Sequence, residues 1–82
     1  LPGPVEVERL LRMTLATVKL AEPINWAALV EHLTGASAAM VVKAAQDAAK
    51  AAVLSGKQLV TQANLLQAIA EQRRTDAAAS EA

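Results

Sequence analysis

Few side chains in these 82 residues could do chemistry, and their spacing narrows the field further. With no cysteine there is neither a thiolate metal site nor a disulfide framework, and the single histidine, His32, has no partner at ligand spacing. His32 stands beside Glu31 on the outer side of a predicted helix and reads as solvated surface. The sequence has no glycine-rich loop ending in Gly-Lys-Ser/Thr and no acidic cluster for magnesium, so on its own it is expected neither to hydrolyse ATP nor to bind a magnesium nucleotide tightly. Eight Lys and Arg balance eight Asp and Glu, which removes the basic footprint of a nucleic-acid binder. What remains is Trp26, Met13, Met40, Arg73 and Arg74. Trp26 reads as core packing, the methionines as core gap-fillers, and the two arginines as cations serving a helix C-terminus. No catalytic residue and no metal ligand is expected.

The elements that would position anything are helical. Residues 34–56 form the longest run with one unbroken helical period, and Ser37 and Gly56 are the residue types that start and stop such a helix. A helix is predicted over about 38–55, give or take about two to four residues. Val41, Ala44, Ala45, Ala48, Ala52 and Val53 share its inner face, with Lys43, Asp47 and Lys50 on the wet side. An inner face made mostly of alanine lets neighbouring helices approach closely, which suits a central helix.

Prolines at 2 and 4 make residues 1–4 an extended joint. A first helix is predicted over 5–19 from Val7, Leu10, Leu11, Thr14, Leu15 and Val18, with Glu8 and Arg12 paired outside. Asn25 caps a second helix whose inner face is Trp26, Leu29, Val30 and Leu33, with Ile24 and Leu29 as a hydrophobic staple and Gly35 as its stop. Residues 58–60 are too brief for a helix and read as an extended connection. Thr61 caps a last helix carrying Leu65, Leu66, Ala68 and Ile69, with Val60 and Leu65 as a second staple. From Thr75 the tail offers no large side chain to bury and is expected to be disordered. The fold class is therefore all-α, a small four-helix bundle with no sustained strand, divided as 1–4 joint, 5–74 helical domain and 75–82 tail. Apolar stretches are broken by charge before the ~20 residues that span a bilayer, so no membrane role is expected. The chain has no initiator Met and no signal peptide, and it reads as a piece of a longer cytoplasmic protein.

The series Leu1-Pro2, Pro4, Arg9-Leu10, Lys19-Leu20, Ile24-Asn25, Leu29, Thr34-Gly35, Ser37, Ala39, Ala48, Val60-Thr61 and Ala68 resembles the C-terminal helical lid of AAA ATPases, over residues 1 to about 72. In that family a proline-rich joint leaves an α/β nucleotide-binding domain. The lid follows with Lys-Leu, Val-Asp-Leu, Thr-x-Gly-Phe-Ser-Gly-Ala-Asp and Val-Thr patterns. The resemblance implies that Ala38 and Ala39, on the Gly-Ala pair of that pattern, contact the adenine of ATP or ADP, with Thr14 on a first-helix position that is often His. Small residues at a helix start let its backbone approach a flat base. This chain departs from the pattern at Ala36 for an aromatic, Ala38 for Gly, and Met40 and Asn25 for Asp, and the opening of this helix carries no Arg for a terminal phosphate.

The resemblance further implies a lid that closes over ATP or ADP held by the preceding α/β domain. It couples nucleotide state to neighbouring subunits, in a homo-oligomeric ring that remodels or unfolds proteins. Arg9, on the family's first-helix arginine, is then an ion-pair residue between subunits or domains. ATPase activity and nucleotide belong to the parent protein, and this segment holds no nucleotide tightly by itself. The alternative is a helical protein-interaction module with a histone-fold-like core and no nucleotide role, because a long central helix followed by Leu59-Val60-Thr61 and a short helix fits that pattern too.

Overall fold

A computed structural model describes residues 2–21, 23–56 and 59–81, the stretch 76–81 by its backbone alone. Its elements run α1 (Pro4–Thr14), β1 (Lys19–Leu20), α2 (Trp26–His32), α3 (Ala38–Leu54), β2 (Leu59–Val60) and α4 (Gln62–Glu81). The molecule is mostly helical, with four helices among the described residues. The 17-residue α3 lies at its centre and presents Val41, Ala44, Ala45, Ala48 and Ala52 to the core, all buried.

Three helix starts follow the sequence. Asn25 Oδ1 accepts from the Ala28 amide at 3.1 Å, Ser37 Oγ from Met40 at 3.2 Å, and Thr61 Oγ1 from Asn64 at 3.1 Å. Each hydroxyl or amide oxygen satisfies a donor that the first helical turn leaves without a carbonyl. At Thr61 the bond is reciprocated, since Asn64 Oδ1 accepts from the Thr61 amide at 3.0 Å, a capping box with Asn in the Glu position. Gly35 and Gly56, at φ of 81° and 79°, turn the chain after α2 and α3 in a conformation that other residues adopt only with strain.

The core is built from Val7, Leu11 and Leu15 of the α1 segment, Leu29 and Leu33 from α2, the α3 face, and Leu65, Ala68 and Ile69 from α4. Ile24 and Val60, the leading members of the two predicted staples, are buried with it. Among the described residues no polar side chain is buried.

Several expectations are corrected. α1 ends at Thr14, five residues before the predicted end at 19, and the chain becomes extended at Lys19–Leu20. The cause is a long-range partner. Lys19 and Leu20 pair in parallel with Leu59 and Val60, and the Ala21 amide donates to the Val60 carbonyl at 2.8 Å. A parallel pair needs a crossover of a dozen residues or more, and α2 with α3 supplies it. A short strand pair therefore stands where no sustained strand was expected; Gln58, at the head of the predicted connection, lies outside the described residues. Val53 is 60% exposed instead of lining the inner face; with Ala49 it borders an open cleft beside Thr17, Val18 and Lys19. Met13 is 67% exposed and fills no gap, while Met40 packs partly buried against the core. Trp26 also packs against the core from a partly buried position at its rim. The tail expected over 75–82 falls mostly on residues whose side chains lie outside the described set; the backbone there continues α4 to Glu81, with no helix breaker in its sequence.

Candidate functional site

The turn that opens α3 is built in steps from its own residues. Gly35 reverses the chain, and Ala36 comes next, buried, its amide donating to the Leu33 carbonyl at 3.0 Å. Ser37 is extended, at φ −73° and ψ 161°, and its side chain and carbonyl take the amides of Met40 and Val41. Two donors of the first helical turn remain. Among the described residues neither the Ala38 nor the Ala39 amide donates a hydrogen bond, and both alanines are exposed. The arrangement can present two small side chains and two amides at the positive end of a helix to a flat or electron-rich group. Its one hydroxyl, Ser37 Oγ, is taken up as the helix cap.

Thr14, the third residue that the resemblance assigns to the nucleotide, is the last residue of α1 and is half-buried. The start of α1 lies by the α2–α3 turn, where Pro2, Pro4 and Val7 share a cleft with Leu33, Thr34 and Gly35. The residues just beyond α1 lie by the later turns of α3, where Thr17, Val18 and Lys19 share another with Ala49, Ala52 and Val53. Ala38 and Ala39 thus adjoin the start of α1 and Thr14 stands towards its far end. None of the clefts at Thr17–Lys19, between α3 and α4, at Trp26 or by Pro2 is lined by any of the three. Of the three, Ala38 and Ala39 are exposed and Thr14 is half-buried. No cradle for phosphates accompanies them.

Other residues named from the sequence have acquired partners. Arg12 pairs with Glu8 at 3.0 Å and lays its guanidinium 4.5 Å from the centre of the Trp26 ring. Arg9 meets Glu6 of its own helix at 3.6 Å. His32 is exposed.

Arg73 differs most from its reading. Its own helix continues past it, and instead it serves the end of α2: its Nε donates to the His32 carbonyl at 2.8 Å, and its Nη2 donates to the Thr34 carbonyl. Gln62 acts similarly at the other end of α2. Its Oε1 accepts from the Asn25 amide at 3.0 Å and its Nε2 donates to the Asn25 carbonyl at 3.3 Å. No local sequence signal could have found either pair, since the partners lie 37 to 41 residues apart. No family model matches this chain, and no curated protein matches it.

Proposed function

We propose that this chain is the C-terminal helical lid of an AAA ATPase. In the parent protein it closes over ATP or ADP held by a preceding α/β domain and passes the nucleotide state to a neighbouring subunit. The observation that carries the reading is the opening of α3, where Ala38 and Ala39, on the family's adenine-contacting positions, are exposed with amides that the chain itself leaves unused. The nucleotide would supply the phosphoanhydride chemistry and Ala38 and Ala39 would receive its base; Thr14, at the far end of α1, drops out of the proposed site. The pairing of Lys19-Leu20 with Val60 also supports the reading, because two stretches of the resemblance 40 residues apart meet in one structural feature. The alternative is a helical protein-interaction module with a histone-fold-like core and no nucleotide role.

The test is Ala39→Leu in the full-length protein. ADP binding should weaken several-fold while the melting temperature of this domain stays nearly unchanged. Unaltered ADP affinity would sink the reading, and so would a gene with no phosphate-binding loop in the roughly 200 residues before Leu1, the ordinary length of an α/β domain. For the 82 residues alone, calorimetric titration with ADP should give no dissociation constant at or below about 1 μM, equivalent to about 8 kcal/mol.

A further inference from the structure

The geometry points to Arg73 as the positioning residue of the α2–α3 turn, the side chain that fixes how the opening of α3 is presented. α2 has only seven residues, too few for a helix to persist by its own hydrogen bonds. Past Val30, the chain's own donors converge on two carbonyls. Thr34 N and Oγ1 both donate to Glu31, the hydroxyl at 2.8 Å, and the Ala36 amide donates to Leu33. Arg73 takes the two carbonyls that alternate with these, His32 and Thr34. A guanidinium suits this task because its donors form a rigid planar fork that can hold two acceptors at once, whereas an ammonium acts as a point charge. Its positive charge also faces the negative end of the α2 dipole.

The Thr34 carbonyl matters because of its place in the chain. It belongs to the peptide unit that leads into Gly35, the residue at φ 81°, and only Ala36 and the Ser37 cap separate Gly35 from Ala38. Orienting that one carbonyl therefore orients the reversal on which the first turn of α3 depends. Arg73 extends from α4, and Gln62, eleven residues earlier on the same helix, grips the backbone of Asn25 at the start of α2. α4 thus holds α2 at both ends through side chains that bond to backbone. Movement of α4 is felt at the turn before α3. That this turn faces a nucleotide rests on the lid reading; that Arg73 sets the turn does not.

The experiment uses the 82-residue chain without nucleotide, comparing Arg73→Lys with wild type by residue-resolved amide hydrogen exchange. Lysine keeps the charge and most of the stem but cannot bridge both carbonyls. The Thr34 and Ala36 amides should exchange about tenfold faster, the loss expected for a charged hydrogen bond. The Ala45 and Ala48 amides in mid-α3 should stay within about twofold, as for distant sites. Turn amides at wild-type rates, or turn and core amides accelerated equally, would overturn the proposal. A measurement needing no variant stands beside it: the Arg73 Nε proton of the wild type should give a distinct, slowly exchanging resonance, and a solvent-averaged one would also overturn it. ADP titration of full-length Arg73→Lys separates the two readings. Faster turn exchange with unchanged ADP affinity leaves Arg73 as the turn's positioning residue and removes the nucleotide from in front of it.

Discussion

Trp26 stands in a sequence with no Phe and no Tyr, and its neighbours decide what it is worth. Helical spacing assigns it to the inner face with Leu29 and Leu33, and both leucines are fully buried. Spacing does not show that Trp26 is the first residue of a seven-residue helix, where the ring overhangs the core edge and Arg12 from α1 covers part of it. Trp26→Ala should then cost about 2 to 3 kcal/mol in denaturant unfolding, short of the 3 to 5 kcal/mol usual for a large aromatic in full burial. Arg12→Ala should cost about 0.5 to 1 kcal/mol, the scale of an exposed cation–π contact, and shift the fluorescence maximum to the red as water reaches the ring. A loss of 4 kcal/mol or more for Trp26→Ala, with no spectral response to Arg12→Ala, would place the ring inside the core. The same limit applies to Met13 and Arg73. Residue type proposed their roles, and the partner or exposure that decided them came from other elements.

At the scale of elements, the sequence is most legible where a helix begins or turns. Asn25, Ser37, Thr61, Gly35 and Gly56 work within four residues of themselves, so their roles could be read locally and all five have them. The end of α1 could not be read, because Thr14, Leu15 and Val18 continue an acceptable helical pattern. Only the pairing of Lys19 and Leu20 with Leu59 and Val60, 40 residues on, draws the chain out of it. Thr61 joins these two kinds of information. Its side chain caps α4 immediately after Val60 leaves the strand pair, so the cap fixes the angle at which strand becomes helix. Thr61→Ala should lower stability by about 1 kcal/mol, the usual cost of losing an N-cap. Asn64→Ala removes the return bond to the Thr61 amide, and the double variant should cost less than the sum of the two because the bonds form one box. Strict additivity in the double-mutant cycle would show that the two bonds act independently.

For the whole molecule, α3 sets the packing. Alanines 44, 45, 48 and 52 are buried on its inner face, where small side chains let the flanking helices approach closely. That arrangement leaves α3 with two unlike kinds of alanine. Ala45 is buried at 0% exposure, hemmed by the flanking helices, whereas Ala39, less than two turns earlier, is exposed on the outer face. Helical periodicity distinguishes the two faces and puts Ala39 on the exposed one with Lys43 and Lys50; it does not reveal that Ala38, in step with the buried Val41 and Ala45, is also exposed, since that depends on where α1 and α2 stop. The same substitution at each site should therefore have opposite consequences. Ala45→Leu should cost about 1 to 3 kcal/mol, as overpacking forces the helices apart. Ala39→Leu should change stability by no more than about 0.5 kcal/mol, as for a surface site. Thermal unfolding of the two variants side by side checks this directly. Equal destabilisation would mean that the opening of α3 is packed against the rest of the fold, and a helix end so covered could not receive a ligand.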